Sequence, residues 1–289
     1  MNQNTNYKED WLFEITPKDR LLSLNLKEVW RYRDLLFLFV KRNIVTTYKQ
    51  TILGPLWYFI QPLFTSVIFT LIFNNVANIP TGSVPPFLFN LAGITIWNYF
   101  RACFSGTSNT FNANAGIFGK VYFPRLIMPL VAVITNLLRF GIQLFIFIIF
   151  YVYYYIHGAD IHINNYILLF PVMVLLMGLL GLGLGMIISS LVTKYRDLNI
   201  LISFGLQLLM YVSAVMYPLS FFTENLPKYA WVVKYNPLTF IIETVRYSLL
   251  NVGVFDVAMF IYTLFITVVL LFIGIVVFNK AEKNFIDTV

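Results

Sequence analysis

Charged side chains are scarce in this 289-residue chain, in which 59% of residues are hydrophobic and only 11% are charged. Between Lys49 and Arg101 there is no Lys, Arg, Asp, Glu or His. A soluble domain would interrupt such a run with charge every few residues, whereas a helix of roughly 20 apolar residues crosses a bilayer core. The composition therefore excludes a soluble globular protein and predicts an integral membrane protein.

Cysteine and histidine are almost absent as well. The single cysteine, Cys103, has no partner for an intrachain disulfide. His157 and His162 are the only histidines, and no cysteine or carboxylate cluster accompanies them at ligand spacing, so no metal site is predicted. No Ser/His/Asp arrangement is available on one side of the membrane either. A scaffold or an intramembrane enzyme stays a rival interpretation, but elimination favours transport.

The chain also lacks a nucleotide-binding loop. Such a loop needs a glycine five residues before a Gly-Lys pair and a Ser or Thr after it. Around Gly119 and Lys120 these positions hold Asn114 and Val121. We therefore expect no cofactor and no ATP hydrolysis by this polypeptide alone, so it is not predicted to be an enzyme.

Six apolar runs are long enough to cross a membrane, which predicts an all-α integral membrane protein with six transmembrane helices. The predicted spans are 50–73, 87–111, 126–156, 165–191, 199–217 and 257–279. No cleavable signal peptide precedes them, because the chain opens with the polar stretch MNQNTNYKED. The segment 218–250 is apolar but broken by three prolines, and we interpret it as re-entrant.

The basic residues set the predicted orientation. Fifteen of the 20 Lys and Arg residues lie in the N-terminal arm, the loops 112–125 and 192–198, and the C-terminal tail. By the positive-inside rule both termini are cytoplasmic, and an even number of crossings requires the same. The net charge of +7 is explained by this topology and by anionic lipid, so no nucleic-acid partner is predicted.

The predicted domains are a cytoplasmic N-terminal arm, 1–43, and a six-span membrane domain, 44–289. Within the arm, six apolar residues fall near one face of a helix and charged residues fall mainly on the other. The apolar residues are Leu26, Val29, Trp30, Leu36, Phe37 and Val40. This pattern is typical of a helix that lies in the membrane plane. It is either a simple surface anchor or a collar that also contacts a cytoplasmic partner.

The loop 112–130 mixes Tyr122 and Phe123, expected to be exposed, with Lys120 and Arg125. Aromatic residues and arginine anchor protein interfaces, so the loop is either a docking element or an interfacial belt at the start of span three. The tetrapeptide KYRD at 194–197 forms a second cytoplasmic turn.

Two arginines, Arg101 and Arg139, lie within predicted spans, where charge is costly and usually faces the bundle interior, a cavity or a partner. Each either meets a phosphate of an anionic lipid-linked substrate or bonds to polar groups of a neighbouring helix. In span four, Gly181 and Gly185 have the GxxxG spacing that allows close helix approach.

The segment 218–250 contains a helix-start signal and a pair of opposite charges. Asn236 and Pro237 are typical of an N-cap and the first helical residue. Glu243 and Arg246 are three apart on one face of the helix that follows, which favours a structural ion pair.

Four segments carry a resemblance to a known family: LKEVWRYRDLLFLFVKRNIVTTYKQTILGPLWYFIQP at 26–62, GKVYFPRLIMP at 119–129, KYRDL at 194–198, and YPLSF with NPLTFIIETVRYSLL at 217–250. In combination they resemble the membrane subunits of ABC-2 type polysaccharide exporters. The resemblance implies a homodimer that carries two copies of a separate ABC ATPase. It also implies that 26–38 is an interface helix and that 218–250 forms paired external re-entrant helices.

The resemblance further assigns residues to three roles. Coupling to the ATPase falls to Lys120, Tyr122, Phe123, Arg125, Tyr195, Arg196 and Asp197. The re-entrant gate contains Asn236, Pro237, Glu243 and Arg246. In the family, spans one and five line the polymer channel, which here implies Trp57, Phe64, Phe204, Tyr211 and Tyr217, with Arg101 and Arg139 as further candidates for substrate contact.

The function implied is export of a lipid-linked polysaccharide, most closely O-antigen, across the bacterial cytoplasmic membrane. Export of teichoic acid, or of drugs or small lipids, stays an alternative, because nothing in the residues identifies the sugar.

Overall fold

The computed structural model describes residues 26–49, 54–195 and 197–286, and every regular element in these ranges is a helix. The α-helices are α1 (Leu26–Arg31), α2 (Arg33–Lys49), α3 (Trp57–Phe69), α4 (Pro86–Ser108), α5 (Thr110–Phe118), α6 (Ile127–Ile156), α7 (Phe170–Lys194), α8 (Leu198–Val212), α9 (Leu219–Asn225), α10 (Ala230–Lys234), α11 (Pro237–Leu250) and α12 (Val257–Ile286). The N-terminal arm before residue 26 lies outside the described residues. The predicted all-α class is confirmed for the part described.

Four helical stretches in the described ranges are long and apolar enough to cross a membrane: Trp57–Val76, Ile127–Ile156, Asn165–Lys194 and Val257–Glu282. They overlap the first, third, fourth and sixth predicted spans. Helix α4 occupies the second predicted span, and α8 occupies the fifth but has only 15 residues. The membrane character is confirmed, and the count of six crossings stays a prediction.

The core of the bundle is built around α7, which packs on α4, α6 and α12. Glycines let the backbones approach. A Cβ added to Gly181 would lie 2.9 Å from the Cβ of Cys103, and one added to Gly185 would lie 2.6 Å from the Cβ of Thr107. Small residues at such positions allow close packing in membranes, where lipid provides no hydrophobic drive between helices. The close approach predicted from the GxxxG spacing is confirmed, and the partner is α4.

Helix α3 continues into a π-helix, Thr70–Val76, whose geometry is held by side chains. Asn90 of α4 donates to the Oδ1 of Asn74 at 2.8 Å and to the Oγ1 of Thr70 at 3.1 Å. Asn74 in turn donates to the carbonyl of Ile79 at 2.9 Å. A π-helix is a rare backbone conformation, and these side-chain hydrogen bonds stabilise it here. This amide pair therefore fastens the end of α3 to α4.

The amphipathic pattern of the N-terminal helix is realised only in part. Leu36, Phe39 and Val40 of α2 are buried, but Trp30 and Phe37, predicted on the same face, are exposed. Because neighbouring residues on a helix are turned by about 100° from each other, Phe37 points away from the face of Leu36. Helix α2 also runs on to Lys49, so the boundary predicted between residues 43 and 44 falls inside a helix.

The prediction of a loop over 112–125 is wrong for its first part, because α5 continues to Phe118. The connection to α6 consists of residues 119–126. Phe111 and Phe118 lie seven residues apart on one face of α5 and both are buried. The ring of Phe111 stacks on Phe278 of α12, with centroids 4.7 Å apart. This burial stabilises a short helix whose sequence, with two Asn and one Gly, did not indicate it.

Candidate functional site

Large aromatic side chains stand exposed on α3 and α8, the helices of the first and fifth predicted spans. Trp57, Phe64, Phe204 and Tyr211 are between 46% and 65% exposed. The two members of each pair are seven residues apart, which places them on one face, about two turns from each other. Within the part of the chain that the structure describes, the predicted aromatic faces are thus left uncovered.

A polar stripe accompanies the aromatic residues on α8, and sequence reasoning missed it. Asn199, Ser203 and Gln207 are exposed and follow each other at intervals of four, so they lie along one side of the helix. On α3, Gln61 is exposed between Trp57 and Phe64. The signal was the regular spacing of amides and a hydroxyl in an otherwise apolar helix. Polar groups in a span usually face the bundle interior, a cavity or a partner.

The remaining aromatic candidate, Tyr217, lies half-buried beyond the end of α8. Its hydroxyl donates to the carbonyl of Tyr211 at 2.6 Å, and its ring stacks on Phe222 with centroids 5.6 Å apart. The side chain therefore folds back on the helix that carries Tyr211. Its proposed contact with substrate stays a prediction.

The two span arginines have different surroundings. Arg139 of α6 donates from Nη1 to the Oδ1 of Asn136 at 3.1 Å, and its guanidinium lies 5.3 Å from the ring centroid of Tyr58 on α3. Asn136 lies on α6 itself, so only the contact with the Tyr58 ring joins α6 to α3. Arg101 of α4 is exposed. Contact of either arginine with substrate stays a prediction.

The connection 119–126 lies at what we call the basic end of the bundle, defined by Lys120, Arg125 and Lys194. The structure divides its predicted docking residues into two pairs. Lys120 and Tyr122 are exposed, Tyr122 by 80%. Phe123, expected at the surface, is only 4% exposed and Arg125 is buried as well. Only the first pair is available for direct contact with a partner.

The buried pair of this connection holds it in place. Phe123 packs its ring against Phe39 and Phe118, with centroids 5.8 and 5.7 Å away. Arg125 donates from Nη1 to the carbonyl of Glu282 at 3.1 Å, and its Nε lies 3.8 Å from the Glu282 carboxylate. Burial lowers the pKa of the Arg125 guanidinium from its usual value, and the charge of Glu282 opposes that shift. An arginine stays protonated under these conditions.

A cavity of about 100 Å³ opens at the basic end between α1, the connection and the end of α12. Its polar lining comes from Glu28, Tyr122, Arg125, Asn279 and Glu282. The exposed Tyr122 ring stands at the rim of a concave surface that offers both carboxylates and a guanidinium. Such a mixture suits a protein partner better than a small apolar ligand.

The second predicted coupling turn joins α7 to α8. Tyr195 and Asp197 are exposed, and the ammonium of Lys194 lies 5.3 Å from the Tyr195 ring centroid. Arg196 lies outside the described residues. The turn is therefore accessible, and its role in coupling stays a prediction.

At the opposite end of the bundle, the segment 218–250 folds into short helices of two kinds. Helices α9 and α10 are largely exposed, whereas most of α11 is buried. The predicted start of α11 is confirmed, because the Asn236 side chain accepts from the backbone N–H of Leu238 at 3.0 Å and Pro237 is the first helical residue. An N-cap of this kind satisfies one of the unpaired donors of a helix start.

The predicted ion pair of this segment is also formed. Arg246 is fully buried and donates from Nη1 to the Glu243 carboxylate at 3.3 Å. The same nitrogen donates to the carbonyl of Ala214 at 2.8 Å, and Nη2 donates to the carbonyl of Val215. The guanidinium carbon lies 3.7 Å from the ring centroid of Phe89 on α4. Sequence spacing indicated the pair but not these backbone contacts.

No group of His, Cys, Asp and Glu in the described ranges is placed to hold a metal ion. The described residues offer instead an exposed aromatic and polar surface along two helices, an accessible surface at the basic end and a buried junction at the opposite end. Together with the long apolar helices, these surfaces fit the class of membrane transport proteins.

The family of this transport protein follows from comparison with known proteins. The family described as ABC-2 type transporter matches residues 34–250. This range is well over half of the chain, so the chain belongs to the ABC-2 type transporter family. The match includes α3, α8, the connection 119–126 and the junction around Arg246, which are the surfaces described above.

Curated relatives cover almost the whole chain. The O-antigen export system permease protein RfbA of Klebsiella pneumoniae is 28% identical over 269 residues, which are 92% of this chain and 99% of the relative. A protein of the same name from Myxococcus xanthus is 25% identical over 91% of this chain and 98% of its own length. The polysialic acid transport protein KpsM of Escherichia coli is 26% identical over 84% of this chain and 91% of its own.

Proposed function

We propose that this chain is the permease subunit of an ABC transporter that exports a lipid-linked O-antigen polysaccharide. The observation that carries the proposal is the uncovered face of α3 and α8, where aromatic rings alternate with amides and a hydroxyl. Sugar rings offer flat C–H faces and many hydroxyls, so they fit this alternation. The full-length similarity to O-antigen export permeases supports the same substrate class.

Two copies of the chain form the permease, and two copies of a separate ABC ATPase power it. Family membership and the missing phosphate-binding loop support this division of labour. The faces of α3 and α8 then meet across the dimer and enclose the path. The six spans cross the bacterial cytoplasmic membrane with both termini in the cytoplasm, as the distribution of Lys and Arg indicates.

The basic end is the docking surface for the ATPase. Tyr122 is the principal contact, because it is the most exposed aromatic residue of a connection that is itself held down by Phe123 and Arg125. The turn with Tyr195 and Asp197 and the exposed side of α1 and α2 extend this surface. The helices α9 and α10 at the opposite end dip into the outer leaflet beside the exit.

A charged polymer is a second candidate, because KpsM is named for polysialic acid, which is an anion. Neither 57–76 nor 198–212 contains a charged side chain. A polyanion would gain nothing from these neutral faces, so the proposal favours an uncharged glycan over polysialic or teichoic acids.

The experiment reconstitutes the purified chain with its ATPase in proteoliposomes and adds lipid-linked glycan on the ATPase side. ATP-dependent arrival of glycan on the other side supports the proposal, with neutral glycan preferred over a polyanion. The chain without its partner is expected to show no ATP turnover. Transport of a small drug or lipid with no response to glycan would contradict the proposal.

A further inference from the structure

The end of α8 and the turn that follows it are held by hydrogen bonds from α11 and its N-cap residue. Helix ends leave carbonyl groups without partners in the helix, and these need donors when buried. Here the donors come from Arg246, which contacts the carbonyls of Ala214 and Val215 in the turn Ser213–Tyr217. Ala214 has a φ of 50°, a left-handed conformation that a non-glycine residue keeps only where its surroundings hold it.

The first turn of α11 makes a second attachment to the same place. Asn236 donates from Nδ2 to the Oγ of Ser213 at 3.0 Å and to the carbonyl of Val212 at 3.3 Å. The hydroxyl of Thr239 reaches the same carbonyl at 3.4 Å. Helix α11 is thus attached at two places to the end of α8 and the turn after it, by its N-cap residue Asn236 and by Arg246 in its third turn.

Helix α4 closes the junction from a third side. The Phe89 ring covers the guanidinium, and Gly93 leaves the space that the guanidinium fills. A Cβ added to Gly93 would collide with Nη2 of Arg246 and would lie 2.6 Å from the carbonyl of Val215. If the guanidinium of Arg246 moved away from one of these partners, a buried carbonyl or carboxylate would lose its hydrogen bond, which is costly.

We propose that Arg246 is a positioning residue that makes α11 and the outer end of α8 one rigid unit. The exit of the transport path then moves together with α8, and the turn Ser213–Tyr217 does not act as a hinge. The inference rests on the proposed function, in which α8 borders the polymer path, and it adds how the exit is linked to that path. It concerns motion within this chain and is independent of which glycan is carried.

The test measures the distance between two spin labels within one copy of the chain in the full transporter, which is assembled with its ATPase from one labelled and one unlabelled copy. The labels are placed by Gly205→Cys on α8, where the added side chain meets open space, and by Val254→Cys in the exposed chain after α11, in a Cys103→Ser background. For a rigid unit the distance distribution stays narrow and unchanged with and without a non-hydrolysable ATP analogue. A shift of that distance on adding the analogue would overturn the proposal.

Two substitutions test the role of the guanidinium itself. Arg246→Lys keeps a charge beside Glu243, but a single ammonium lacks the planar fork that reaches both carbonyls. It is expected to keep the protein folded and to broaden the distance distribution. Gly93→Ala on α4 is also expected to broaden the distance distribution, because its methyl group displaces the guanidinium of Arg246. We expect this variant to lose most surface polysaccharide. The matched control is Gly141→Ala on α6, where an added Cβ meets nothing within 4 Å and no change is expected.

A distribution that stays narrow in both Arg246→Lys and Gly93→Ala would contradict the positioning role. If Gly93→Ala does not insert, the wild-type and Arg246→Lys distances decide the question. Failure of the proposed function is recognised separately, since it would remove glycan export from the wild-type complex and leave the label distance as it is.

Discussion

Gly274 of α12 lies against the carbonyl of Gly183 on α7 so closely that a Cβ added to Gly274 would be 2.6 Å from that oxygen. A Cβ added to Gly183 would lie 3.0 Å from the backbone of Leu270 and Leu271. The two helices therefore touch through backbone atoms at this level. Their contact depends on the absence of two side chains, as in other close helix pairs of membranes.

Gly274→Ala is expected to destabilise the protein, because the backbones of α7 and α12 must separate to admit the methyl group. Overpacking of this kind costs about 1–3 kcal/mol. The measurement is the thermal unfolding midpoint of the purified chain in detergent. Gly141→Ala is the control, since the same methyl group there meets open space. Equal midpoints for the two variants would show that α12 does not pack on α7 as described.

Tyr122 and Phe123 are expected to differ sharply although they are neighbours. Phe123→Ala removes a buried ring from a cluster with Phe39 and Phe118, and such truncations cost about 3–5 kcal/mol. Tyr122→Ala removes an exposed ring and is expected to change stability by less than about 0.5 kcal/mol. Thermal unfolding of the two purified variants measures both changes in stability.

Co-purification with the ATPase separates their roles further. Tyr122→Ala is expected to weaken the complex in a chain of normal stability, because it removes the exposed contact. Tyr122→Phe, which keeps the ring, is the matched control and is expected to retain the complex. If Tyr122→Ala retains the ATPase fully, Tyr122 is not the docking contact and the ATPase binds at another surface.

The positions of the helices were predictable because hydropathy and length decide them. Each predicted span overlaps a helix of the described residues, although α8 ends at Val212 and the fifth predicted span continued to residue 217. The GxxxG spacing correctly indicated that Gly181 and Gly185 lie close to a neighbouring helix. The N-cap at Asn236 and the ion pair of Glu243 with Arg246 were also visible, because both are local patterns. Local spacing is enough when the interacting groups lie within one turn of each other.

Tertiary contacts account for what the sequence left undecided. The carbonyls that Arg246 binds lie about thirty residues away in the chain, and no periodicity connects them. Phe123 was expected outside because it lies in a short predicted loop, yet it is buried against Phe39, a residue far away in the sequence. The helix α5 was missed because it is short and contains two Asn and one Gly, and burial of its aromatic face, including stacking on Phe278, stabilises it.

Asn90→Leu is expected to disturb the π-helix at the end of α3. The substitution removes the donors to Asn74 and Thr70, two half-buried acceptors, and the loss of a hydrogen bond of this kind costs about 0.5–1.5 kcal/mol. We expect a lower thermal midpoint. Faster labelling of a cysteine at Val76, which is exposed at the end of this segment, should accompany it. Asn90→Asp keeps the shape and, protonated in this buried position, one O–H donor, so it can satisfy only one of the two acceptors and should lie between the wild type and Asn90→Leu. A wild-type midpoint in Asn90→Leu would contradict the amide pair as the support.

The aromatic faces of α3 and α8 give the last prediction. Rings that contact a moving polymer must bind it weakly, with about 1 kcal/mol each by analogy with other aromatic contacts, so that no single register is fixed. Trp57→Ala and Tyr211→Ala are therefore expected to slow export of long glycans while the complex with the ATPase still assembles. Phe265→Ala, which removes an equally exposed ring from α12, is the control and is expected to export normally. The measurement is the amount and chain length of surface polysaccharide. If Trp57→Ala and Tyr211→Ala export normally, as Phe265→Ala is expected to do, the rings of α3 and α8 face lipid and the path must run along other helices.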